Sequence, residues 1–166
     1  MSIILGIDPG SRVTGYGVVR STQGVYQYIA SGCIRTEDAD FIPRLAIIYA
    51  GVQNILATFS PNEVAVEQVF VKKNVVSALK LGQARGAALA ACGVKNLVVS
   101  EYLPTQVKKA LVGAGRADKE QIQHMVKAIL KLSETPPQDA ADALAVALCH
   151  AQMSRFAQRL QKGIAQ

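Results

Sequence analysis

Near its start the chain carries Ile3-Ile4-Leu5-Gly6-Ile7, a near-continuous apolar run that stops on a charge, Asp8, and then on Pro9-Gly10. An apolar run this short, closed by a turn, predicts a buried central strand. Thr14 to Arg20 predicts a second strand, in which Gly15 and Gly17 allow close backbone approach. After the Gln23-Gly24 turn, Tyr26 to Arg35 fits a third. Three strands with short connections make an antiparallel meander.

The period then changes. Leu45, Ile48, Val52, Ile55 and Phe59 recur at three and four residues, which predicts an amphipathic helix over about 42–59. Val64 and Val66 alternate with Glu63, Ala65 and Glu67 in a short strand. Asn74 to Cys92 reads as a helix whose Ala and Gly faces pack tightly, and Leu97 to Val99 as another short buried strand. Pro104 opens a helix that Gly113 can terminate. Asp118 with Gln121 predicts a reciprocal N-cap for a helix whose core stripe is Ile122, Met125, Val126, Ile129 and Leu130. Gln138 to about Gln152 is the last predicted helix. The order βββαβαβα with further helices describes an α/β fold with a mixed sheet. Half the residues are apolar, enough for one core. The reading is a single domain over 1–154, with 155–166 a polar, basic and flexible C-terminal tail.

Asp8 is the first residue to point to chemistry. A charge at the tip of a buried strand is costly unless something pairs with it. Its position faces the crevice where α/β sheets bind ligands, although a turn-forming role in Asp-Pro-Gly would also account for it. Glu67 repeats the arrangement at the end of Val64-Ala65-Val66. Asp139 and Asp142 are three apart at the start of a helix otherwise made of Ala, Leu and Val, so they share one face. The helix dipole favours their ionised forms, and N-terminal acid preference alone would explain Asp139. Four converging carboxylates repel one another, and a divalent cation resolves the repulsion. Mg²⁺, with its preference for oxygen ligands and retained water, fits this set, with two ions expected as in phosphodiester hydrolases and Mn²⁺ an expected substitute. His124 and His150 lie on helices, and the three cysteines, Cys33, Cys92 and Cys149, have no metal-ligand spacing and read as buried reduced thiols.

The net charge of +6 points to a polyanionic partner, and its distribution strengthens the point. Residues 70–131 hold eleven Lys and Arg against Glu101, Asp118 and Glu120, whereas 1–69 hold four against six acids. Phe70 stands beside Val71-Lys72-Lys73, where an aromatic among phosphate-binding cations can stack on an unpaired base. Arg12, just after the Asp8 turn, is a candidate for the same surface. The short N-terminal apolar run lacks a basic leader and cannot span a bilayer, which predicts a soluble cytoplasmic protein with no membrane partner.

Ile-Leu-Gly-Ile-Asp8-Pro-Gly-Ser-Arg-Val-Thr-Gly-Tyr-Gly, Val-Glu67-Gln-Val-Phe70 and Asp139-Ala-Ala-Asp142-Ala-Leu-Ala resemble the signatures of the RuvC family, the bacterial crossover junction endodeoxyribonucleases or Holliday junction resolvases. Ser77 to Gly86 and Gln106-Val-Lys108 fit as well, so the resemblance covers essentially 1–152. It implies a ribonuclease-H-like fold with a five-stranded mixed sheet flanked by helices. It also implies a homodimer that nicks four-way junction DNA symmetrically with Mg²⁺, leaving 5′-phosphate and 3′-hydroxyl ends, in partnership with the RuvA–RuvB branch-migration complex. The family's catalytic carboxylates correspond to Asp8, Glu67, Asp139 and Asp142; at the third position some relatives carry His. Lys108 and Lys119 correspond to lysines near the scissile phosphate, and Phe70 to a contact at the junction centre.

Three other readings stand beside this one. The Asp-x-Gly turn opening a meander also resembles sugar kinases and actin-like ATPases, which need a second lobe and nucleotide loops; no nucleotide partner is expected here. A ribonuclease-H-like nuclease of the YqgF type acting on RNA would lack the Asp-Ala-Ala-Asp helix. A non-catalytic nucleic-acid binding module would leave the four acids unexplained.

Overall fold

The computed structural model describes residues 1–36, 39–68, 74–113 and 115–164. Its ten elements are β1 (Ser2–Asp8), β2 (Val13–Thr22), β3 (Val25–Arg35), α1 (Phe41–Phe59), β4 (Glu63–Glu67), α2 (Val75–Val94), β5 (Val99–Tyr102), α3 (Pro104–Val112), α4 (Lys119–Leu130) and α5 (Gln138–Ile164). The five strands form one mixed sheet in the order β3-β2-β1-β4-β5. β1, β2 and β3 are the antiparallel meander, and β1, β4 and β5 run parallel.

Alternation along the strands divides the core in two. Leu5, Ile7, Val18, Val64 and Val66 face α1 and α2, meeting Ile48, Val52, Leu56, Ala84 and Ala88. Ile4, Val19 and Ala65 face the other way, onto α5, with α3 and α4 behind it. α5 is thus covered from both sides, which is why Ala140, Ala141, Ala143, Ala145 and Ala147 are all at most 1% exposed. α1 is long and apolar enough, by length and composition, to cross a bilayer, but here its Ile48-Val52-Ile55-Leu56 face packs into the first core layer.

Glycines set how near α5 comes to the sheet. A Cβ at Gly6 would collide with the Ala143 carbonyl oxygen and stand 2.7 Å from the Ala147 nitrogen. One at Gly17 would be 2.7 Å from the Leu144 nitrogen, and one at Gly15 would collide with the Asp139 carbonyl. β1 and β2 therefore offer α5 bare backbone over its first turns.

The structure differs from the sequence reading at two elements. The last strand is Val99–Tyr102 instead of 97–99. Leu97 and Val98 belong to the return from α2, where the Leu97 N–H donates to the Cys92 carbonyl and Val98 is 81% exposed. Pairing of Val64 with Val99 through Glu67 with Tyr102 selects the more polar segment as the edge strand. The last helix continues to Ile164 instead of stopping near Gln152, so most of the expected flexible tail is helical. Extension of a docked helix needs no new nucleation, and 153–162 contains no Gly or Pro to stop it.

Overpacking a tight helix–sheet contact costs about 1–3 kcal/mol. Gly6→Ala should lower the urea midpoint correspondingly, without a change in m-value, in equilibrium denaturation followed by circular dichroism. A wild-type midpoint would contradict this account of the contact.

Candidate active site

Asp8 is the last residue of β1, and Glu67 the last of β4. The final parallel pair between these strands is Ile7 with Val66, so the two acids leave neighbouring strand tips side by side, at the roughly 4.8 Å spacing of paired strands. On its other side Asp8 pairs with Gly15, and Gly15 is where the Asp139 backbone crosses the sheet. The missing side chain at Gly15 therefore brings the first turn of α5 against the Asp8 strand tip. Asp139 and Asp142 are both partly buried there.

Two further helices supply positive charge. α3 begins at Pro104, where the Gln106 side chain accepts from the Leu103 N–H (2.8 Å), and it carries Lys108. α4 begins with the expected reciprocal cap: Asp118 accepts from the Gln121 N–H (2.8 Å), and the Gln121 side chain accepts from the Asp118 N–H (3.0 Å). That cap makes Lys119 the first residue of α4. A lysine there opposes the helix dipole, and nearby carboxylates offset the penalty.

The electrostatics record the convergence. Burial, then Glu67, Asp142 and Asp139, push the Asp8 carboxyl from 3.8 up to about 8, against an opposing pull from Lys119. Burial and Asp142 push Glu67 from 4.5 up to about 7, with Lys108 and Lys119 pulling it down. Asp142 is also raised, by burial and then by Asp139, with both lysines opposing. The lysines moderate the repulsion without cancelling it.

Such a donor set fits a hard divalent cation. All four side chains offer oxygen, and without a cation three of them are pushed toward protonation. Among the described residues no three of His, Cys, Asp or Glu already stand as a closed ligand cage. Mg²⁺ does not require one, since it usually binds through one or two carboxylates and keeps waters or substrate oxygens for the rest.

The model of the crossover junction endodeoxyribonuclease RuvC family matches residues 4–150. The chain belongs to the RuvC family. RuvC of Aeromonas hydrophila is 59% identical over 90% of this chain and 87% of its own length, and RuvC of Cronobacter sakazakii is 56% identical over 98% and 94%. The structure of Thermus thermophilus RuvC in complex with Holliday junction substrate superposes with a TM-score of 0.89 at 38% identity, covering 95% of this chain and 97% of that one. The five-stranded mixed sheet with its helices is accordingly the ribonuclease-H-like fold of RuvC.

Within this RuvC frame the structure brings together Asp8, Glu67, Asp139, Asp142, Lys108 and Lys119. Arg12 is exposed on the turn after β1 and lines a separate cavity with Arg44 and Lys80. Phe70, Lys72 and Lys73 lie outside the described residues. A cavity of about 1140 Å³ between β3 and the α4–α5 connection includes none of the four acids.

One neighbour of the acids and one network at the other end of β4 escaped the sequence reading. Cys33 was expected to be one of three buried thiols, and Cys92 and Cys149 are buried, but Cys33 is only half-buried. It pairs with Gly15 across β2 and β3, and burial followed by Asp139 raises its thiol pKa. Only the strand register could have located it beside the acids. His150, 6% exposed, bonds Tyr102 Oη through Nδ1 (2.8 Å) and Glu63 through Nε2 (2.7 Å), joining α5 to β4 and β5. His124 is exposed on α4.

The raised carboxyls set a pH dependence. Folded, metal-free protein holds protons on Asp8 and Glu67 that the unfolded chain releases near pH 4. Their contribution to stability is complete below that pH and is lost as pH rises through about 7 and 8. In chelator, the melting midpoint of Asp8→Asn should therefore gain on wild type as pH goes from 5 to 8.5. Added Mg²⁺ should raise the wild-type midpoint more at pH 8 than at pH 5.5, because protons compete for the same oxygens. Melting curves with equal Mg²⁺ shifts at both pH values would argue against shared ligation.

Proposed function

We propose that this chain is a divalent-metal-dependent endonuclease that resolves four-way (Holliday) DNA junctions by symmetrical phosphodiester hydrolysis. The observation that carries the reading is the set of mutually repelling carboxylates at the tips of β1 and β4 and the start of α5, with two lysines beside them. The junction as substrate follows the relatives, of which the Thermus thermophilus protein is described in complex with a Holliday junction substrate.

In this reading Asp8, Glu67, Asp142 and Asp139 would hold two Mg²⁺ ions, for which Mn²⁺ could substitute. When bound, the ions would polarise a water for attack and set positive charge against the reacting phosphate. Asp8 and Glu67 surrender their protons when the ions bind, since ligation requires the ionised form. Lys108 and Lys119 are fixed cations against which negative charge on the phosphate oxygens develops at lower cost. A water oxygen adds to phosphorus, the bond to the 3′ oxygen breaks, and that oxygen takes up a proton. The products are a 5′-phosphate and a 3′-hydroxyl. Phe70 stacks on an unpaired base at the junction centre, and Lys72, Lys73 and Arg12 bind backbone phosphate.

Symmetrical nicking needs two active sites, and a homodimer supplies them. The face of α2 around Val75, Val76 and Leu79 is 60–71% exposed, and Cβ atoms at Gly82 and Gly86 would meet nothing within 4 Å. An apolar, flat helix face of this kind suits contact with a second copy. The single nuclease domain, in the cytoplasm, then works with the RuvA–RuvB branch-migration complex.

Asp8→Asn should abolish Mg²⁺-dependent cleavage of a synthetic four-way junction while mobility-shift binding without metal stays equal or tightens; full activity would sink the carboxylate assignment. Lys119→Ala should slow single-turnover cleavage by roughly 10²–10³-fold, the usual cost of removing one fixed charge aimed at a developing anion. Sedimentation of Leu79→Glu should give monomer where wild type gives dimer. A variant that remains dimeric removes the α2 face from the interface.

A further inference from the structure

We propose that the cavity beside the Asp8 turn binds a second backbone phosphodiester of the junction, a short way from the scissile one. This rests on the reading that junction DNA is the substrate. The cavity measures about 320 Å³ and is walled by three separate stretches: Ser11 and Arg12 on the β1–β2 turn, Ala39 to Arg44 at the start of α1, and Ser77 with Lys80 on α2. Its lining carries three cations, Arg12, Arg44 and Lys80, against one described carboxylate, Asp40.

Contacts fix the segment or the side chain that presents each cation. Thr36, 3% exposed, donates its N–H to the Arg12 carbonyl (2.9 Å) and its hydroxyl toward the carbonyls of Ser11 and Arg12 (both 3.0 Å). A buried side chain from the end of β3 thus clamps the backbone that presents Arg12. Arg44 Nε donates to the Ala39 carbonyl (2.7 Å). Lys80 Nζ stands 5.5 Å from the centre of the Phe41 ring. Among the described residues neither Arg12 nor Lys80 forms an ion pair. Two cations with no ion pair among the described residues, both lining one cavity, keep their charge available to an anion.

Connectivity identifies the anion. Arg12 follows Asp8 by four residues, which span at most about 14 Å of extended chain. That is the reach of a few nucleotides at a rise of about 3.4 Å per nucleotide along a strand. A DNA strand whose phosphate lies at the carboxylates therefore runs within reach of this cavity. A phosphodiester, with one charge and two unesterified oxygens, suits a guanidinium and an ammonium approaching from two elements.

The test is fluorescence anisotropy of the full chain on a fixed four-way junction, in chelator, between 50 and 200 mM salt. Comparison is with Arg12→Ala/Lys80→Ala and with the charge-keeping Arg12→Lys/Lys80→Arg; melting curves check that each is folded. Removing one neutralised phosphate should make the slope of log affinity against log salt shallower by about 0.9. The alanine pair should show that change with several-fold weaker binding at 100 mM salt, and the charge-keeping pair should retain the wild-type slope. A wild-type slope in the alanine pair overturns the assignment, as does an equal loss in the charge-keeping pair. If wild type itself neither binds nor cuts the junction, the substrate reading falls too. If wild type does both, a failure belongs to this cavity alone.

Discussion

α5 reaches the sheet backbone itself, because Gly6, Gly15 and Gly17 present no side chains for it to ride over. Much of the architecture depends on that contact. An alanine-rich helix can be buried on all sides only if its neighbours come close, and the two core layers meet across the same three strands. The contact also sets the chemistry, since it fixes the first turn of α5 over Gly15, the residue paired with Asp8. A methyl group at Gly15 would lift Asp139 and Asp142 away from the strand tips. The spacing of the acids is therefore a packing property before it is an electrostatic one.

That packing holds carboxylates in a place that disfavours their charged forms. Asp8 and Glu67 follow residues that are almost wholly inaccessible, Ile7 at 1% and Val66 at 0%, so their backbone cannot yield to the repulsion. What yields instead is the protonation state. A rigid scaffold that keeps like charges together gives up stability in the metal-free chain; under the proposed metal binding it would gain preorganised ligands, the usual exchange at functional sites.

Features decided locally were legible in the sequence. The meander, the Asp118–Gln121 cap and the Pro104 and Gly113 boundaries depend on residues a few positions apart, and all appear as expected. Asp8 stands out as a charge ending a buried run, whereas Glu67 is unremarkable alone and gains weight only by repeating that arrangement on a second strand. Lys108 and Lys119 were not legible: each is an ordinary helix lysine until α3 and α4 are docked, and only the family resemblance singled them out. Cys33 and the His150–Glu63–Tyr102 network depend on register and helix docking, Glu63 and His150 standing 87 positions apart. Gly15 and Gly17 were recognisable as sites of close approach, but the helix that approaches could not be named. The edge strand was misplaced for a related reason. Apolar character marks what is buried, while β5 is selected by backbone pairing with β4, and its Glu101 is exposed.

The distribution of charge fits the division of labour proposed for the site. Few acids and bases neutralise one another among the described residues: Arg85 meets Glu101, and Glu63 meets His150. The carboxylates cluster at the strand tips with two lysines near enough to moderate them. A site of that sign repels phosphate when empty, so affinity for a polyanion has to come from cations set apart from it. Arg12 and Lys80 face a different cavity and supply such charge. Binding and chemistry then reside on different side chains, so loss of a carboxylate can leave DNA affinity intact or improve it. The turn after Asp8 would join the two proposed functions: within five residues the chain passes from an acid proposed to ligate metal to an arginine proposed to bind phosphate, and buried Thr36 anchors the second half.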